Sequence, residues 1–143
     1  MKIKQLSIFV ENRTGRLAEI TEILTSRQVD IRALSLADTS DFGILRLIVN
    51  NPDTACAALL EAGVMVRTTE VLAVSMADKP GGFSRTVGVL SDAGVGIEYL
   101  YAFVSRTGGE AVIILRADDS DKAIEVLRGS GIRLLDPHEV YHL

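Results

Sequence analysis

The chain has 143 residues, 48% of them apolar and 24% charged, with a formal net charge of −4. That length allows one ordinary domain, or two small ones of roughly 70 residues that share burial. An acidic balance without a Lys/Arg cluster argues against a nucleic-acid partner, and no apolar run reaches the roughly 18 residues that a membrane span needs.

The first ten residues, MKIKQLSIFV, resemble the start of a signal peptide. Glu11, Asn12 and Arg13 break the apolar run at once, and no small-residue cleavage site comes after them. The segment is therefore read as the first strand of a cytoplasmic protein. QLSIFVE alternates and is β-branched enough for that strand. NRTGRLAEITEIL comes next, with Leu17, Ile20 and Leu24 at helical spacing, which predicts an amphipathic helix over 15–27. VDIRALSLAD is strand-like, a TSD turn leads into a third strand, FGILRLIV, and Pro52 suits the first turn of a second helix. Ala62-Gly63 stops that helix. VRTTEVLAV reads as a fourth strand that runs almost directly into a second strand-like stretch.

From there the same pattern recurs. The glycine of NRTGRL and that of DKPGGF, at 15 and 81, lie 66 positions apart. At that offset Asn12 meets Asp78, Ile31 meets Ile97 and Leu34 meets Leu100. The offset then grows by two, so that EAGVMV (61–66) meets GSGIRL (129–134) and TEVLAV (69–74) meets PHEVYH (137–142). The chain is a repeat, with copies over 1–69 and 70–143.

Each copy reads βαββαβ. Right-handed crossovers on an antiparallel sheet turn that order into an α+β, ferredoxin-like sandwich, strand order 4-1-3-2, with both helices on one face. Strand 2 is an edge, and pairing strand 2 of one copy with strand 2 of the other would protect both edges in one eight-stranded sheet. In IEYLYAFV, both Ile97/Tyr99/Tyr101/Phe103 and Leu100/Ala102/Val104 are apolar. The face away from the helices should therefore be covered, and a homodimer packed sheet on sheet would cover it.

Several chemistries lack their residues. Cys56 is the single cysteine and reads as a buried inert thiol in a helix, so the chain has no intrachain disulfide and no thiolate metal cluster. His138 and His142 sit in a strand-like stretch without a carboxylate partner, and Asp118, Asp119 and Asp121 read as a solvated loop and helix start, so no metal and no cofactor are expected. Strand 3 offers only Phe42 for base stacking. Arg13 and Arg16 are faintly compatible with an acyl-phosphate hydrolase, but the second copy has only Lys79 there. No Ser/His/Asp or Cys/His set, no paired buried carboxylates and no phosphate loop point to an enzyme.

The repeated turn, polar–x–x–Gly–x–apolar at the mouth of a helix, has a chemistry of its own. Its glycine tolerates positive φ and lets a ligand approach the backbone. The first-turn N–H groups favour a carboxylate. Asn12 or Asp78 can accept from an ammonium group, and a free α-amino acid carries both groups on one carbon. The bland alternative assigns Asn12 and Asp78 to capping the first helix or its turn, Gly15 and Gly81 to the turn alone, Leu17 and Phe83 to the core, and Tyr99 and Tyr101 to a dimer face.

NRTGRL and especially DKPGGF resemble the D-R-P-G-x-L opening of ACT domains, the small-molecule regulatory modules of amino-acid metabolism, and the resemblance covers nearly the whole chain. It implies a non-catalytic module that binds an amino acid where one copy's turn meets the other copy's strand 2. The turns would supply Asn12, Thr14, Gly15, Arg16 and Leu17 on one side, and Asp78, Pro80, Gly81, Gly82 and Phe83 on the other. Strand 2 would supply Leu34 and Ser35, or Tyr99, Leu100 and Tyr101. Thr14 stands in place of the motif's proline, Phe83 in place of its leucine, and Gly82 is an additional glycine, so two such sites should differ. The alternative function is a regulatory subunit that docks on a separate metabolic enzyme through an exposed edge strand 4.

Overall fold

The computed structural model describes residues 1–38, 41–103 and 109–143. Thr39 and Ser40 of the expected TSD turn, and Val104, lie outside the described residues. The described residues form seven strands and five helices in the order β1 (Ile3–Glu11), α1 (Arg16–Ser26), β2 (Ile31–Asp38), β3 (Phe42–Val49), α2 (Pro52–Glu61), β4 (Val66–Ala77), α3 (Gly82–Asp92), β5 (Ile97–Phe103), β6 (Glu110–Ala117), α4 (Ser120–Gly129), β7 (Arg133–Leu134) and α5 (Pro137–Tyr141). The chain divides into two compact units. One is Lys4–Thr69 with His142; the other is Met1–Ile3, Glu70–Tyr141 and Leu143.

In the first unit β3 lies between β1 and β2, and the first residues of β4 flank β1. The antiparallel registers set Leu6 opposite Leu47 and Ile8 opposite Leu45. Because facing residues share a side of the sheet, β1 sends Leu6, Ile8 and Val10 to the same core as Leu45, Leu47 and Val49. Ile20 and Leu24 of α1, with Ala55 and Leu59 of α2, close that core from above. The second unit repeats this with β6 between β4 and β5, and β7 on the outer side of β4. Its core joins Leu72, Val74, Ile113 and Leu115 to Leu90 of α3 and Leu127 of α4. Each unit thus has the ferredoxin-like order 4-1-3-2, as the element pattern requires.

Two expectations change. The eight expected strands become seven, because strand 4 of the first copy and strand 1 of the second are one continuous twelve-residue strand, β4. The expected strand 2 to strand 2 pairing is not formed among the described residues: β2 bonds only to β3, and β5 only to β6. On the face of the second unit's sheet away from its helices, Ala73 and Ile114 are fully buried, and Tyr101 and Phe103 nearly so.

The stretch PHEVYH is a helix and not a fourth strand; strand 4 of the second copy is the two-residue β7 just before it. Pro137 opens α5, and Asp136 and Glu139 cap it reciprocally. The Asp136 N–H donates to Glu139 Oε2 at 2.9 Å, and the Glu139 N–H donates to Asp136 Oδ1 at 2.8 Å. Asp136→Ala is expected to cost about 1 kcal/mol in urea denaturation, the usual value of a lost N-cap.

Candidate functional site

The two repeated turns have the same backbone. Gly15 has φ 90° and ψ −13°, and Gly81 has φ 91° and ψ −13°, a left-handed geometry that a side chain disfavours. In the first turn the Arg13 N–H donates to the Glu11 carbonyl, Arg16 to Arg13 and Glu19 to Gly15; in the second, Lys79 donates to Ala77, Gly82 to Lys79 and Arg85 to Gly81.

The helices that continue from these turns differ from the other pair. Asn51 Oδ1 caps α2 by accepting from the Thr54 N–H at 3.2 Å, and Asp119 Oδ1 caps α4 by accepting from the Lys122 N–H at 3.1 Å. α1 and α3 begin instead at Gly15 and Gly81 with no side-chain cap. Asn12 and Asp78 are exposed and cap neither helix. First-turn N–H groups, which have no partner inside a helix, are thus left without a side-chain acceptor at the two positions where the sequence repeats a glycine turn.

Beside the second turn lies a cavity of about 490 Å³, built wholly within the second unit. Its walls are the turn (Lys79, Pro80, Gly81, Gly82), the first turn of α3 (Arg85, Thr86), the end of β4 (Ser75, Met76, Ala77), Glu110, and the Gly131–Arg133 segment. Strand register explains this company: Ser75 pairs with Arg133 across β4 and β7, and Ala77 pairs with Glu110 across β4 and β6. Lys79, Arg85 and Arg133 outnumber the single carboxylate of Glu110, so the walls favour an anion. Glu110 accepts from Ser75 Oγ at 3.0 Å and lies 3.7 Å from the Arg133 guanidinium. Arg85 is held at the rim by donating to the Ser130 carbonyl at 2.7 Å.

Two smaller cavities flank the first turn. One, of about 170 Å³, is lined by Asn12, Arg13 and Leu17 together with Leu36, Asp38 and Phe42. The other, of about 370 Å³, is lined by Phe9, Glu11, Arg16, Phe42, Gly63 and Met65. Arg13 joins Glu11 and Glu19, and Arg16 joins Glu19 at 3.1 Å and Glu11 at 3.8 Å. Hydrogen bonds from Arg13, then Arg16, hold the Glu19 carboxyl below its ordinary range. A depressed carboxyl contributes stability that is present above its ordinary pKa and is lost as pH falls through the lowered one. Glu19→Gln is therefore expected to flatten that part of the acid limb, read as urea midpoints at neutral pH and below the carboxylate range. The group is exposed, so the effect is small.

The residues expected at a site separate. Pro80, Gly81 and Gly82 line the second-unit cavity, whereas Asp78 and Phe83 do not, and Phe83 is 47% exposed rather than part of the core. Asn12, Leu17 and Arg16 line the first-unit cavities, while Thr14 and Gly15 lie exposed on the turn. Leu34, Ser35, Tyr99, Leu100 and Tyr101 line none of the three cavities: Leu34 is exposed on the edge strand, Leu100 packs on the helical core and Tyr101 is buried. Ser75, Arg85, Glu110 and Arg133 were missed. The 4-1-3-2 order was the signal available for Arg133, since it places strand 4 beside strand 1. Among the described residues no group of three His, Cys, Asp or Glu side chains could hold a metal, and no helix is long and apolar enough to cross a membrane.

A family model described as an ACT domain pair matches residues 1–142. The crystal structure of protein BT0572 from Bacteroides thetaiotaomicron is similar with a TM-score of 0.95 and 42% identity, covering 100% of this chain and 98% of that one. The ligand-free regulatory subunit of aspartate kinase from Thermus thermophilus is similar with a TM-score of 0.60 and 15% identity, over 89% and 91% of the two chains. E. coli aspartokinase III in complex with aspartate and ADP gives 0.56 and 16%, over 90% of this chain and 31% of that one. At such identities the last two show a shared fold alone. No curated protein matches the sequence.

Proposed function

Because this chain belongs to the ACT domain pair family, we propose that it is a non-catalytic regulatory module that senses a free α-amino acid, and that the ligand sits in the second-unit cavity. The observation that carries this reading is the uncapped start of α3 opening beside three cations and one carboxylate. The α-carboxylate takes the first-turn N–H groups and the Arg85 guanidinium. The ammonium group takes Glu110, in the role the sequence suggested for Asp78. The cavity volume falls within the usual range of roughly 300–1,000 Å³ for small-molecule sites. Two of the similar folds support the regulatory part: one is named a regulatory subunit, and one was solved with aspartate.

The test is thermal unfolding against each of the twenty amino acids. A ligand at about 100 times its Kd adds about 2.7 kcal/mol, a rise of several degrees for a chain of this size. Glu110→Gln and Arg85→Gln should remove the rise. No shift with any amino acid would remove this reading.

A second reading, docking on a separate metabolic enzyme, has a specific observation behind it. β2 is an edge strand that carries Leu34 and Leu36 at 59% and 50% exposure. This differs from the strand 4 edge expected from the sequence, because strand 4 of the second copy is only the short β7. Loss of co-purification on Leu34→Asp, with an unchanged melting temperature, would support docking.

A further inference from the structure

Arg133 stands between two carboxylates, and they hold it unequally. Strand register seats it: Arg133 pairs with Ser75 across β4 and β7, so its side chain leaves the sheet on the Ser75 side, where Glu110 also lies. Its Nη1 is 3.7 Å from Glu110 Oε2, too far for a hydrogen bond. Its Nη2 donates to Glu139 Oε1 of α5. Ser75 Oγ reaches the same Oε2 of Glu110 at 3.0 Å, so Glu110 Oε1 has no partner among the described residues.

Glu139 is itself fixed. Its Oε2 accepts from the Asp136 N–H at 2.9 Å, and its own N–H donates to Asp136 Oδ1 at 2.8 Å. The Leu135 N–H ties the preceding segment to the sheet by donating to the Ala73 carbonyl at 2.9 Å, and Val140 of α5 is fully buried. Each carboxylate oxygen of Glu139 therefore has a separate task. Oε2 closes the helix cap, for which a glutamine oxygen also serves. Oε1 draws Arg133 away from the cavity's acid, and that pull needs the charge. The repeat groups these residues: at the later offset Glu110, Arg133 and Glu139 meet Phe42, Met65 and Val71 in the first copy. All three charges are absent there together, and so is the helix, because the chain continues as β4.

An ammonium group needs an acceptor that a neighbouring cation has not already neutralised. Resting on the reading of the second-unit cavity as an amino-acid site, we propose that Glu139 is a specificity-determining positioning residue for it. By holding Arg133 off Glu110, it leaves Glu110 Oε1 to the ammonium group and makes the cavity select amino acids over carboxylic acids that lack one. Without the Glu139 charge, Arg133 closes on Glu110. The uncapped start of α3 and Arg85 still receive a carboxylate, but the ammonium group loses its acceptor.

The test is isothermal titration calorimetry on the full chain with two probes. One is the amino acid that raises the melting temperature most; the other is the acid with the same side chain and a hydrogen in place of the ammonium group, as propionate is to alanine. Glu139→Gln should lower the preference for the amino acid about fivefold. Glu139→Gln combined with Arg133→Gln should restore it, because the competing cation is gone. A Glu139 that only folds α5 would weaken both probes alike and would not be rescued. In ligand-free crystals of Glu139→Gln, Arg133 is expected within hydrogen-bond distance of Glu110. A preference absent from the unaltered chain, unchanged in Glu139→Gln or lost without rescue, or an Arg133 that stays off Glu110, overturns the proposal and leaves the amino-acid site standing. No rise in melting temperature with any amino acid removes that site and this inference with it.

Discussion

Gly82→Ala is expected to lower stability by about 3 kcal/mol, the upper end for an added methyl that its surroundings cannot absorb. A Cβ on Gly82 would stand 2.1 Å from the Ala77 carbonyl oxygen. That neighbour is backbone, held in place because the same carbonyl accepts from the Lys79 N–H at 2.9 Å. It cannot swing aside as a side-chain tip could, so the start of α3 must move. The requirement belongs to the second turn and not to the motif, since the equivalent position in the first turn is Arg16. Gly88→Ala is the control within the same helix: nothing lies within 4 Å of a Cβ there, and the change should raise stability by roughly 0.5–1 kcal/mol. Urea midpoints for the two variants should move in opposite directions. Equal behaviour would contradict the tight closure of the second turn.

Leu90→Ala is expected to cost roughly 2–5 kcal/mol. Leu90 is fully buried at the centre of the second unit's core, among Leu72, Ile113, Leu115 and Leu127. Removing three carbons there forfeits the transfer energy of the side chain and leaves a void, because strands held by ladder bonds collapse poorly around it. Leu24, its repeat counterpart in α1, is 1% exposed and should behave alike. Leu60→Ala, at a position 57% exposed, should stay within about 0.5 kcal/mol. A loss below about 1 kcal/mol at Leu90 would show that α3 does not seat on the sheet in this way.

The fold was legible because two signals agreed. Periodicity placed α1, α2 and the strands within a residue or two, and the Gly15/Gly81 repeat made every element of one copy a check on the other. The same repeat misled at the C-terminus. Aligning PHEVYH with TEVLAV made it a strand, although Asp136, Pro137 and Glu139 spell a helix start in plain local chemistry: a cap, a proline in the first turn, and a reciprocal acceptor at the third position. Local capping prevailed over a distant likeness. The seven-strand count comes from another local fact, that Thr69 and Glu70 carry no turn residue between the copies, so strand 4 and strand 1 fuse.

The candidate site was half legible. The turn glycines and their uncapped helices are dictated by residue types at short range. The opposite walls are not, because Glu110 and Arg133 reach the cavity only through strand register, one from each neighbour of β4. The turn alone reveals the carboxylate-binding end and offers the nearest acid, Asp78, as the ammonium partner, yet Asp78 lies exposed outside the cavity.

If the uncapped start of α3 seats a carboxylate, its first-turn amides must report the ligand. The most direct measurement is the ¹⁵N–¹H spectrum of the protein titrated with the amino acid that raises its melting temperature most. Saturable downfield movement of the Phe83 and Ser84 amides, the first-turn donors of α3, is the expected result, together with its loss in Arg85→Gln. Stationary Phe83 and Ser84 signals, with movement confined to the Leu34–Leu36 or Tyr99–Tyr101 segments, would contradict this seat and place the ligand on the strand 2 edges.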